Sequence, residues 1–217
     1  MTKKLFWEDP YLTECSAKAI EINGKKTKLN QTIFYAFSGG QQSDKGTIGG
    51  ITVINAVKKG DREDIIDIEY GLEKEPDFDV GDEVIVKIDK QRRSRLRRLH
   101  SAAHIFYYFF IEKFGKQKII GSNISEKKAR VDFLFDHSLT DKLFALEKDI
   151  NNFLKEGHEI ITKPDSKKPD LRWWHCENWK MPCGGTHVKN TKEIGKIKLK
   201  RKNIGKGKER IEIYLGD

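Results

Sequence analysis

Through the first ninety residues, apolar and polar positions alternate in short runs: 17–22, 26–35, 49–57, 64–70 and 83–89. Period-two alternation puts successive side chains on opposite faces of a strand. Asn23-Gly24, between the first two runs, is a hairpin signal. Short strands at this spacing, without a helical stretch between them, predict a small barrel or sandwich.

The pattern changes at Asp89. A basic stretch, Lys90-Gln-Arg-Arg-Ser-Arg-Leu-Arg-Arg-Leu-His, runs into Ser101-Ala-Ala-His-Ile-Phe-Tyr-Tyr-Phe-Phe and stops at Gly115. This predicts a helix over 93–114, solvated at its start and apolar nearly all round towards its end. A second helix is expected over 138–156, with Gly157 as its C-cap. Strands are expected at 118–124, 129–135, 158–163, 196–203 and 209–215. The sequence therefore divides into a β domain over 1–90 and a domain over 91–217 in which helices alternate with a mostly antiparallel sheet. The fold class is α+β.

Composition narrows the function classes. With 37% hydrophobic and 35% charged residues among 217, the chain is globular and heavily solvated. No run of about 18 apolar residues suggests a membrane span, and the first residues turn acidic before a leader's apolar segment forms. Three scattered cysteines, Cys15, Cys176 and Cys183, do not make a disulfide scaffold, so a reducing cytoplasm is expected. Charge is uneven. Residues 1–90 carry 13 Lys+Arg against 17 Asp+Glu, whereas 91–217 carry 29 against 16. The second half is thus the one suited to a polyanionic partner.

Two short motifs carry chemistry. His100 and His104 stand at i and i+4 of the expected helix, so both imidazoles leave one face. Cys183 and His187 frame Gly184-Gly185-Thr186, a bend tight enough to turn both side chains to one ion. Each pair alone is weak evidence. Together they offer three imidazoles and a thiolate, the donor set of a zinc site holding one ion per chain. The helix has Ser101 where a His-Glu-x-x-His peptidase has its glutamate. Without that base, an activated ester is a better substrate than a peptide. No single catalytic residue stands out, and the chemistry is expected to centre on zinc.

His100-Ser-Ala-Ala-His, Gly121-Ser122, Arg130-Val-Asp132-Phe, Cys183-Gly-Gly-Thr-His and Gly207-Lys-Glu-Arg210-Ile-Glu, in that order, resemble the editing domain of alanyl-tRNA synthetase. They are more similar still to its free-standing relatives, the medium-length AlaX alanyl-tRNA editing proteins. Phe34-Tyr-Ala-Phe-Ser-Gly-Gly-Gln-Gln-Ser-Asp-Lys-Gly resembles the glycine-rich signature of that family's N-terminal β-barrel. The resemblance implies a deacylase that hydrolyses seryl-tRNA(Ala) in trans, with glycyl-tRNA(Ala) as a second candidate, and spares alanyl-tRNA(Ala). It implies zinc on His100, His104, Cys183 and His187, and substrate contacts at Ser122, Gly184 and Thr186. A hydroxyl at 122 would favour serine, because a site built to bond a hydroxyl penalises the analogue lacking it.

This sequence departs from the family pattern at Ala103, where synthetase-fused relatives often have threonine, and at Ser38 and Gln42 in the glycine signature. The tight loop must therefore be made by Gly39 and Gly40. Asp132 is a further polar residue near the site, although an outward position on its strand is the simpler expectation. The segment 196–211 holds eight basic residues and one acid. Arg92, Arg93, Arg97, Lys200, Arg201, Lys206 and Arg210 are read from this charge pattern as a tRNA-binding rim. Trp173, Trp174 and Trp179 are read as packing under a loop, with stacking on a terminal adenine as the alternative. A monomer is expected. Two other readings remain: an editing enzyme for another aminoacyl-tRNA, and a zinc-stabilised RNA-binding module without catalysis.

Overall fold

The computed structural model describes residues 1–60, 65–168 and 170–216. Among the described residues, the first ninety supply eight strands: β1 (Lys3–Lys4), β2 (Glu14–Asn23), β3 (Lys26–Leu29), β4 (Gln31–Thr32), β5 (Gly46–Ile48), β6 (Ile51–Gly60), β7 (Ile65–Leu72) and β8 (Glu83–Ile88). Six of them pair in the circuit β2-β3-β7-β6-β5-β8, and β8 returns to β2. Every pairing in the circuit is antiparallel, and β1 lies parallel to β4 outside it. Asp64, the first residue of the strand expected at 64–70, lies outside the described residues; the strand is found from Ile65.

Beyond β8 come α1 (Lys90–Phe114), β9 (Ile119–Ile124), β10 (Ala129–Leu134), α2 (Thr140–Glu156), β11 (Ile160–Pro164), β12 (Arg172–Cys176), β13 (Trp179–Pro182), β14 (Ile197–Asn203) and β15 (Lys208–Leu215). The order β14-β15-β10-β9 makes one antiparallel sheet and β11-β12-β13 a second. With two α-helices on mostly antiparallel sheets, the α+β expectation holds. Helix α1 starts three residues earlier than expected because Asp89 caps it, its carboxylate accepting from the Arg92 amide at 2.9 Å. Gly157 ends α2 in the left-handed region, as a C-cap should.

Strands β12 and β13 were not expected. Two residues, Glu177 and Asn178, join them, and Glu177 adopts a positive φ of 49°. A turn that tight normally advertises itself with glycine. Here it does not, and the tryptophan-rich flanks show no period-two pattern.

Buried apolar side chains form two clusters. One runs from Phe6 to Ile88, the other from Leu96 to Leu215. Their junction is polar. Arg93, at 1% exposure, pairs with the equally buried Asp44, and its guanidinium also donates to the carbonyls of Ile33 and Pro10. Asp44 in turn accepts from the Tyr35 amide at 2.7 Å. Arg92 donates to the Ser43 carbonyl and to Gln42 Oε1, and pairs with Glu126. The first turn of α1 is thereby riveted to the loop between β4 and β5.

Removing one partner of a buried ion pair leaves the other charge desolvated, which costs about 3–5 kcal/mol. Asp44→Ala should therefore lower the unfolding free energy by that amount in urea titration. Lys74→Ala removes a pair exposed by 65% and 70% on its two sides and should change it by less than about 1 kcal/mol.

Candidate metal centre and adjoining cavity

His100 and His104 sit one turn apart on the buried side of α1, and their ring centroids are 4.8 Å apart. Cys183 and His187 follow the end of β13, where the chain turns back along α1. The His187 ring lies 4.3 Å from that of His100 and 4.7 Å from that of His104. Ligand atoms of all four side chains fall within 4.8 Å of one another. Cys183 Sγ is 3.5 Å from His100 Nε2 and 3.3 Å from His187 Nε2. Two donors sharing one ion at 2.0–2.1 Å and 2.3 Å in a tetrahedral shell stand about 3.6 Å apart. The group could therefore hold a metal ion.

Gly185 makes this approach possible. A Cβ there would lie 2.2 Å from His100 Cε1 and 2.8 Å from Gln41 Oε1, whereas one on Gly184 would meet only the Trp7 ring at 3.7 Å. Neither glycine has positive φ. The bend thus needs one glycine, and needs it for space.

Gln41 fixes the chemistry of His100. Its Oε1 accepts from the Thr186 amide at 2.9 Å, and its Nε2 donates to Thr186 Oγ1 at 3.0 Å. A backbone N–H can only donate, so the atom facing it is the carbonyl oxygen. The same oxygen lies 2.7 Å from His100 Nδ1, which must then carry the proton. The Nε2 lone pair is left facing Cys183. Ser101 Oγ accepts from the Val188 amide at 3.1 Å and lies 3.4 Å from His187 Nδ1, and as a hydroxyl it can pair with either tautomer of that ring. The Nδ1 of His104 is buried without a hydrogen-bond partner among the described residues. That ring is held instead by edge-on packing against Trp174, centroid to centroid 4.8 Å.

Burial sets the protonation states. Desolvation pushes His100 down to about 3, and pushes His104 and His187 well below the usual histidine range, with the neighbouring rings adding to it. All three are neutral, as ligands must be. Burial raises the Cys183 thiol to about 11, against the Gly185 amide that donates to it. These donors are three neutral imidazoles and one sulfur, all largely buried, a set that fits a borderline-soft divalent ion.

A cavity of about 420 Å³ opens beside the group. Its lining draws Tyr35, Ser38 and Gly39 from the first ninety residues, and His100, His104, Ser122, Gly184 and Cys183 from the rest. Its size is in the range of small-molecule sites, and no carboxylate or cationic side chain lines it among the described residues. The loop carrying Gly39 and Gly40, both at positive φ, docks on β9 through Ile124 N–H to Gly40 C=O at 2.7 Å and Gln42 N–H to Ile124 C=O at 2.9 Å.

Ser122 and Gly184 line the cavity, but Thr186 does not: it is 1% exposed and holds Gln41. The expected basic rim is corrected more heavily. Arg92, Arg93 and Arg97 are buried, the first two in the pairs already described, and Arg97 with its guanidinium 3.6 Å over the Tyr11 ring. Arg201 pairs with Glu209, and Arg210 with Asp132. Asp132 is itself buried, so it does not point outward. Burial raises its pKa, but hydrogen bonds from Arg210 and Arg130 outweigh that and hold it low. Lys200 and Lys206 are exposed, on or beside the edge strand β14, three strands from β9. The tryptophans pack: Trp174 is fully buried, Trp173 Nε1 donates to Asp165, and Trp179 Nε1 donates to Glu112. Gln41, Ser101 and Tyr35 are the site residues that the sequence did not reveal. Gln41 stands inside the glycine-rich signature, and that was its one signal.

Gly185→Ala should abolish metal loading in protein that still folds, while Gly184→Ala should load like wild type. Metal content after purification, together with the far-ultraviolet dichroism of each variant, checks both outcomes.

Comparison with known proteins agrees with this geometry. The family profile of the threonyl and alanyl tRNA synthetase second additional domain matches residues 171–212, the stretch that brings Cys183 and His187. The alanyl-tRNA editing protein AlaX-M of Pyrococcus horikoshii is 39% identical over 99% of this chain and 98% of its own length. AlaX-M of Saccharolobus solfataricus is 31% identical over 97% and 98%. Alanine–tRNA ligase of Sulfurisphaera tokodaii is 28% identical over the whole of this chain, which spans 26% of that enzyme. Similarity at this level across nearly full length, with the paired donors converging, places the chain in a family: it belongs to the AlaX-M alanyl-tRNA editing proteins.

Proposed function

We propose that this protein is a deacylase acting in trans on mischarged tRNA(Ala), that seryl-tRNA(Ala) is its main substrate and glycyl-tRNA(Ala) a second, and that it works in the cytoplasm as a monomer. The observation that carries the reading is the uncharged cavity, about 420 Å³, which has His100, His104 and Cys183 in one wall and Ser122 in its lining. The ion assigned to the four donors, with His187, is zinc, one per chain. Zinc, when bound, supplies a Lewis acid beside the ester.

The protein's own groups do the rest. Among the described residues no charged side chain lines the cavity, so a cation held by the four donors would act on an ester carbonyl placed there with little screening. An aminoacyl ester is already activated, and the absence of a carboxylate base in the lining is tolerable for that bond. Ser122 offers a donor and an acceptor to a substrate hydroxyl, which alanine lacks. The six-strand circuit of residues 1–90 is read as a small barrel domain that contributes Tyr35, Ser38 and Gln41 to a site built on residues 91–217. Exposed Lys200 and Lys206 meet the tRNA backbone away from the cavity.

A second reading has one observation behind it. Four protein donors fill a tetrahedral shell, the usual mark of a structural ion. On that reading the chain binds RNA without turnover.

Cys183→Ala separates the two. The apolar clusters do not depend on the ion, so the variant should stay folded and lose at least about a hundredfold in hydrolysis of seryl-tRNA(Ala). Unfolding of the variant, together with no hydrolysis of seryl-tRNA(Ala) by folded wild type, would favour the structural ion. Wild type should leave alanyl-tRNA(Ala) intact. Ser122→Ala should lower kcat/KM for seryl-tRNA(Ala) about tenfold, the scale of one lost hydrogen bond, and leave glycyl-tRNA(Ala) hydrolysis unchanged.

A further inference from the structure

Lys58, on β6, extends its ammonium over the Tyr35 ring, 5.1 Å from the centroid. Tyr35 lines the cavity. Among the described residues Lys58 makes no hydrogen bond and no ion pair. Lys4 is its cationic neighbour. Lys4, with a side chain only 4% exposed, stands 3.5 Å from Asp170 and 5.3 Å from the centre of the Trp7 ring. The Arg172 guanidinium lies 5.6 Å from that ring; its Nη2 donates to the Trp7 and Thr162 carbonyls, and its Nε is buried without a partner among the described residues. The acids nearby are engaged, Asp170 by Lys4 and Glu8 by Lys3. Trp7 ties this cluster to the metal turn, its Nε1 donating to the Gly184 carbonyl at 2.8 Å.

Burial and the charge of Lys4 push the Lys58 ammonium down to about 8, with Cys183 pulling the other way. A half-buried cation with three unused donors is a poorly satisfied group unless an anion completes it. The cavity walls beside it are neutral, so the anion belongs to what enters the cavity. In an aminoacylated RNA, the anions nearest the ester are the phosphodiesters of the terminal nucleotides.

Resting on the deacylase reading above, we propose that Lys58, backed by Lys4, binds a phosphodiester of the RNA 3′ end beside the cavity. The acidic first ninety residues then contribute one cation at the point where substrate enters, and binding there positions the ester without touching it.

The test compares Lys58→Gln with wild type on seryl-tRNA(Ala) and on seryl-adenosine, which has the ester but no phosphate. The expected result is a KM for seryl-tRNA(Ala) raised about tenfold with kcat within twofold, and a salt dependence of kcat/KM shallower by about one contact. Hydrolysis of seryl-adenosine should change less than twofold, metal content should not change, and Lys58→Arg should restore the KM. Equal slowing of both substrates, or loss of metal, would overturn the proposal and assign Lys58 to the charge of Cys183. An unchanged KM would also overturn it. Should wild type hydrolyse neither substrate, the deacylase reading fails by itself. The affinity for uncharged tRNA(Ala) still decides the present proposal: about tenfold weaker for Lys58→Gln supports it, and equal affinity refutes it.

Discussion

One side-chain carbonyl holds the site together. Gln41 Oε1 accepts from the Thr186 amide and from His100 Nδ1 at once, joining the glycine-rich loop, α1 and the Cys183–His187 turn. The bond decides which His100 nitrogen keeps its lone pair, and therefore whether that ring can face an ion with the other three donors. It also explains why residue 185 must be small: a side chain there would displace His100 and Gln41 together. Arg93 and Asp44 are the foundation, because they fix the loop that carries Gln41 to the first turn of the helix that carries His100.

Charge is arranged around this centre by exclusion. Three imidazoles are kept neutral by burial, and the adjoining cavity is lined by apolar, hydroxyl and backbone groups. Cations stand outside it, on Lys58 at one flank and on the exposed lysines of β14 at the sheet edge. A pocket without charged side chains and with a cationic periphery suits a polyanion whose reactive end carries no negative charge.

The four donors were legible in the sequence because each pair has a local geometry, a helical i, i+4 step and a bend, and because their softness agrees. The alternating runs and the two helices were legible for the same local reason. What escaped was long-range. Gln41 acts across 59 residues on His100, and no local pattern marks it. Arg92, Arg93 and Arg97 read as part of a tRNA-binding rim because their partners, among them Asp44, Ser43 and Tyr11, lie far back in the chain. Charge density in sequence counts cations without showing which ones the fold has already buried. The β12–β13 hairpin escaped because its turn places Glu177 where glycine is expected.

The central claim is that four residues from two distant stretches of chain share one zinc ion. X-ray absorption at the zinc edge of the purified protein measures this directly. The account predicts three nitrogen neighbours at 2.0–2.1 Å and one sulfur at about 2.3 Å, with the sulfur absent in any ion that Cys183→Ala retains. A shell of oxygens alone, or a wild-type shell without sulfur, would contradict it.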